Sequence, residues 1–62
     1  MNKILETIQL RKDSSKDLIK KIKSEKLDDK HSVLRTLGLV RQLHENYYDI
    51  DLLLNVFEND NK

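Results

Sequence analysis

His31 and His44 are the two side chains in this 62-residue chain best suited to acid–base chemistry near neutral pH or to metal ligation. They stand well apart in sequence, and neither has a second ligand at the spacing that sets two donors on one helical face. His44-Glu45 runs on into Asn46 and Tyr47 and lacks the second His of a helical zinc-protease motif. The carboxylate pairs Asp28-Asp29 and Asp49/Asp51 are the next candidates. Helix capping and solvation account for both, and a metal or glycosidase-like role needs a cleft that two helices do not make. Gly38 stands alone, so no phosphate-cradling loop exists, and the absence of Cys removes thiolate nucleophiles, disulfides and zinc ribbons. The expectation is a protein that is no enzyme and holds no cofactor or metal.

Cationic side chains suggest a different chemistry. Lys16, Lys20 and Lys23 recur at helical spacing, with Arg35 and Arg41 further on, and such a face can contact nucleic-acid phosphates. Against that reading stand a net charge of only +1 and the lack of any aromatic side chain among the lysines to stack on bases. A lysine run on a helix is most often its solvated face.

The elements that carry these groups are dictated by composition. With no Pro and one Gly, the chain has almost none of the punctuation that strands and hairpin turns require, so the fold class is all-α. Lys26-Leu27-Asp28-Asp29-Lys30 is the best interior break, with Asp28 or Asp29 as the N-cap of a second helix. This predicts one domain over residues 1–62, built as an antiparallel hairpin of helices at about 2–26 and 30–58, with residues 59–62 as a frayed tail. Arg11–Asp17 is polar and contains Ser14 and Ser15, either of which could cap a new helix. Three short helices are therefore the alternative.

In the second helix Val33, Thr36, Val40, Leu43, Tyr47, Ile50, Leu54 and Phe57 keep the alternating three- and four-residue spacing of a coiled-coil seam. The first helix offers Ile4, Ile8, Arg11, Ser15, Leu18 and Ile22, widened by Leu5 and Ile19. Antiparallel pairing then sets Ile22 near Thr36, Leu18 near Val40, Arg11 near Tyr47 and Ile8 near Ile50. Arg11 at mid-height is expected to reach toward solvent along its apolar stem.

Leu34, Leu37, Leu39, Tyr48, Leu52 and Leu53 are left over once this seam is assigned. A chain this short buries too little to be comfortably stable alone, and surplus apolar surface marks an association site. These six residues are the expected partner-binding surface, and a homodimeric four-helix bundle is the simplest way to cover it. Residues 16–41 hold eight basic side chains against four acidic ones, whereas 45–60 carry Glu45, Asp49, Asp51, Glu58 and Asp60 with no Lys or Arg. Opposite ends of two copies are thus complementary.

In length, in its Asp-containing turn and in its two matched heptad helices, the chain resembles the Rop family of homodimeric four-helix bundles, which bind paired RNA loops. That family's RNA-binding face uses polar and aromatic residues along its first helix, and no aromatic precedes Tyr47 here. A fainter similarity, through Leu5, Ile8, Arg11, Val33, Leu34, Leu43 and Tyr47, is to the helical-hairpin phosphatases of sporulation response regulators. Their Ser-Gln-x-Leu-Asp signature falls on Leu37-Gly38-Leu39-Val40-Arg41, which carries none of its defining polar side chains. Neither likeness amounts to membership.

The functional expectation is a small regulatory or adaptor protein acting by helix-mediated binding to another protein, with a dimeric RNA- or DNA-binding regulator as the alternative. The longest apolar run is Leu52-Leu53-Leu54 and residues 1–15 lack an apolar signal core, so a cytoplasmic address and no membrane contact are expected.

Overall fold

A computed structural model describes residues 2–60. It consists of α1 (Lys3–Ser24) and α2 (Lys30–Asp60), packed against each other as a hairpin. The molecule measures 50 × 16 × 11 Å, so it is two helices wide and one helix thick. No second layer covers either broad face.

Each helix begins on a side-chain cap. The Asn2 Oδ1 accepts the Ile4 N–H at 2.8 Å to open α1. At the start of α2, Asp29 Oδ1 accepts the Ser32 N–H at 2.8 Å, while the Ser32 hydroxyl accepts the Asp29 N–H at 3.3 Å. This reciprocal pair is a capping box with Ser in place of the usual Glu, and it selects Asp29 over Asp28 as the cap. The Ser32 hydroxyl also donates to the Asp29 carbonyl at 2.9 Å, leaving Ser32 1% exposed and fully bonded.

The first helix stops at Ser24, two residues before the expected end, because Glu25 leaves the helix in an extended conformation. Its carboxylate turns instead to the Arg35 guanidinium, meeting Nε and Nη2 at 3.3 Å each. This ion pair braces the turn. The second helix runs to Asp60, past the expected end at 58, and Asn61 and Lys62 of the expected tail lie outside the described residues.

The polar stretch Arg11–Asp17 is helical throughout, so three short helices are not formed. Its polar groups are satisfied without breaking the backbone ladder. The Ser15 hydroxyl donates to the Arg11 carbonyl at 2.8 Å, Gln9 donates to Asp13 at 3.0 Å, and Arg11 reaches Asp49 at 3.7 Å with its side chain still half exposed.

The α1 seam follows the expected line, with Ile8, Ser15 and Leu18 buried and Ile4, Ile19 and Ile22 half-buried, while Arg11 and Leu5 are exposed. The α2 seam is shifted by one residue at four of its eight positions, alternating with four that are kept. The residues turned inward are Ser32, Thr36, Leu39, Leu43, Asn46, Ile50, Leu53 and Phe57. Val33, Tyr47 and Leu54, expected in the core, are exposed instead, and Val40 is half-buried at the edge. The cause is polar satisfaction. Asn46 donates to the Ser14 hydroxyl at 3.2 Å and Ser32 closes the cap, so two polar side chains enter the seam with their bonds made.

Candidate protein-binding surface

A helix seam has two flanks. On α2 the residues just before Thr36, Leu43, Ile50 and Phe57 are Arg35, Gln42, Asp49 and Val56. On α1 the matching flank is Thr7, Ser14 and Lys21. These meet on one broad face, where Lys21, Glu25, Arg35 and Gln42 line one shallow groove and Thr7, Arg11, Asp49 and Leu52 another. Both cross-helix ion pairs, Glu25–Arg35 and Arg11–Asp49, lie on this side. It is the more polar face, with Leu52 and Val56 open toward its far end.

The other flank has the opposite character. The residues just after Ser32, Leu39, Asn46 and Leu53 are Val33, Val40, Tyr47 and Leu54, a heptad repeat that is apolar throughout. The corresponding flank of α1 reads Leu5, Lys12 and Ile19. Among the described residues only Ile8 and Leu18 are buried apolar side chains, while Leu5, Val33, Leu54 and Tyr47, the last 50% exposed, remain open on this second face. The hairpin is therefore two-sided: one broad face polar and braced, the other apolar and open.

The six residues expected to bind a partner divide accordingly. Leu39 and Leu53, expected to be free, are half-buried in the seam against α1. The rotated register is the direct cause. Leu34, Leu37, Tyr48 and Leu52 are exposed, with Tyr48 the most open at 65%. Tyr48, Leu52 and Val56 recur every four residues and form a ridge along the outer side of the C-terminal half of α2, beside Glu45 and Asp49. Val56, Val33, Tyr47, Leu54 and Leu5 were not anticipated as surface. Their signal was present in the sequence: two adjacent apolar heptad repeats on one helix indicate two neighbours, not one.

The five cations of the nucleic-acid reading do not converge. By heptad position Lys20 lies on the outer edge of α1 and Arg41 on the outer edge of α2, the two opposite narrow sides of the slab. Lys16 and Lys23 border the apolar face, and Arg35 is held by Glu25 on the polar one. That carboxylate raises the Arg35 pKa above its ordinary value.

Among the described residues there is no group of three or more His, Asp or Glu side chains placed to hold a metal ion. His31 sits exposed in the first turn of α2, and His44 shares only a shallow surface depression with Glu45, Tyr48 and Asp49. The Asp29 carboxyl is held below its ordinary pKa mainly by the Ser32 N–H, then by the Ser32 hydroxyl, Arg35 and the His31 N–H, against a smaller opposing effect of desolvation. This perturbation belongs to a cap. No described helix is long and apolar enough to cross a membrane.

The chain matches no known family, no curated protein and no solved structure.

Proposed function

We propose that this chain is a small non-enzymatic regulatory or adaptor protein that works by helix-mediated protein–protein interaction and self-associates as a four-helix bundle. The observation that carries the reading is the distribution of apolar side chains on α2. They occupy more of its circumference than α1 covers, while among the described residues Ile8 and Leu18 are the only buried apolar side chains. Exposed contiguous apolar surface on a chain this small supports association as its working principle.

The two open surfaces divide the labour. The flat face bearing Val33, Tyr47 and Leu54 suits packing of helix on helix into a bundle. The outer ridge of Tyr48, Leu52 and Val56 stays available afterwards and offers a second protein an aromatic anchor with acidic neighbours. A nucleic-acid role draws less support, since its cations are spread over several sides.

The adaptor reading is tested by capture from cells of the source organism with wild type and Tyr48→Glu, then reconstitution of any capture from purified components. One defined protein held by wild type, lost in the variant and rebound in purified form supports it. If reconstitution fails for every captured protein, or Tyr48→Glu binds equally well, the adaptor reading falls.

A further inference from the structure

The charge pattern of α2 runs against its own helix dipole. Beyond the Asp29 cap, residues 30–41 carry Lys30, Arg35 and Arg41 with no acid, whereas 45–60 carry five acids with no base. A helix is stabilised by acids near its start and bases near its end, and α1 obeys this with Glu6 in its first turn and Lys21 and Lys23 in its last. In α2 neither terminal turn does. Folding the hairpin offsets this only in part, through Glu25–Arg35 and Arg11–Asp49, while it brings the lysines at the end of α1 beside the basic start of α2. The pattern thus disfavours the isolated hairpin and calls for a compensating neighbour whose charges run the other way.

A second copy of this chain is such a neighbour. We infer that two hairpins pair through the apolar face with α2 antiparallel to α2 of the partner, the two-fold axis passing between Leu43 and His44. This deepens the self-association proposed above and rests on it. About that axis the apolar flank is self-complementary: Val33 lies opposite Leu54 of the partner subunit and Val40 opposite Tyr47 of the partner subunit, a smaller side chain against a larger one at each level. On the rim of the same contact Lys30 falls within one residue of the level of Glu58 of the partner subunit. Such rim pairs add little affinity, yet they choose orientation, and a parallel pairing would crowd the basic turns together. On α1 the same symmetry places the axis level with residues 16 and 17, where Lys12, Lys16 and Lys23 border Ile19, so the α2 pair forms the dry part of the interface.

The chain contains no Cys, which makes thiol cross-linking a clean test. Lys30→Cys and Glu58→Cys proteins are purified separately, checked for helicity by circular dichroism, mixed, and treated with a short bismaleimide, with sedimentation run in parallel. The antiparallel dimer gives mixed Lys30→Cys/Glu58→Cys cross-links. It gives no cross-link from Lys30→Cys alone, because the two copies of that position lie roughly 40 Å apart at 1.5 Å per helical residue. A His44→Cys protein, near the axis, cross-links to itself. Sedimentation as a dimer with no mixed cross-link overturns the antiparallel geometry and leaves self-association standing. Sedimentation as a monomer at about 100 μM, a concentration at which even weak association shows, overturns both.

Discussion

Asp29 joins most of the local physics of the turn in one side chain. Its carboxylate takes the Ser32 N–H that would otherwise begin α2 without a partner, and the same bond keeps its pKa below the ordinary value. A group whose pKa is lower folded than unfolded contributes stability above its unfolded pKa, and that contribution is lost as pH falls through the folded value. Asp29→Asn retains a capping oxygen but not the charge. Wild type should therefore unfold at a higher urea concentration than Asp29→Asn at neutral pH. The gap should close on acidification below about pH 4, the ordinary carboxylate range. A gap that persists unchanged into strong acid would show that charge at this position is irrelevant.

Asn46 makes the complementary case inside the seam. It is 7% exposed, its amide bonds Ser14, and its neighbours at seam spacing are Leu39, Leu43, Ile50 and Leu53. Ser14 itself is exposed, so its hydroxyl returns to water if Asn46 is removed. Asn46→Leu should accordingly stabilise the fold, by about 1 kcal/mol, and relax the choice of register that a single buried polar residue enforces. Asn46→Ala should destabilise by about 1–2 kcal/mol, since it loses the bond and leaves space. Urea titration separates the two, and equal destabilisation by both would mean the amide bond is worth more than the packing.

At the scale of the element, the break between the helices and the start of α2 at Lys30 were legible in the sequence because capping chemistry is a local property, whereas the two C-terminal ends fell two residues from their expected places. The α1 seam was legible too, including polar Ser15, since Ile8 and Leu18 admit only one face. The α2 seam was not. Two heptad readings share Thr36, Leu43, Ile50 and Phe57, and counting apolar residues favours the one through Val33 and Tyr47. The fold takes the other because Ser32 and Asn46 bring their own hydrogen bonds into the contact, a gain invisible to a hydrophobicity pattern. Leu39 and Leu53, two of the six residues of the expected partner surface, were misplaced by that single residue of rotation. Gly38 is the element's weak point. It sits in mid-helix with no positive φ, and a Cβ added there meets nothing within 4 Å. Gly38→Ala should stabilise by about 1 kcal/mol, raising the Tm by roughly 4–8 °C for a domain of this size. Loss of the dimer in that variant would reveal a close backbone approach of the partner at Gly38, away from the apolar face assigned to it.

At the scale of the whole molecule, a slab one helix thick cannot shield its own seam, and its stability is tied to whatever lies on its open face. If that is a second copy, folding and association are coupled, and the native state gains stability with concentration by mass action. The Tm should then rise by several degrees for each tenfold increase in protein, a dependence that a self-sufficient hairpin lacks. Tyr47→Lys separates the two contributions. The ring is 50% exposed in the hairpin, so the single chain gives up little packing when it is replaced. In the dimer the same ring lies against Val40 of the partner subunit, near the centre of the interface, where truncating an aromatic anchor costs about 2 kcal/mol or more, roughly a thirtyfold loss of affinity. Helicity at high concentration should survive, the dilution at which the dimer dissociates should move up by that factor, and the wild-type dependence of Tm on concentration should weaken. Scanning calorimetry at three concentrations reads the last effect directly. A Tm independent of concentration in wild type, or one lowered equally at every concentration by Tyr47→Lys, would place Tyr47 in the stability of the single chain and remove it from the interface.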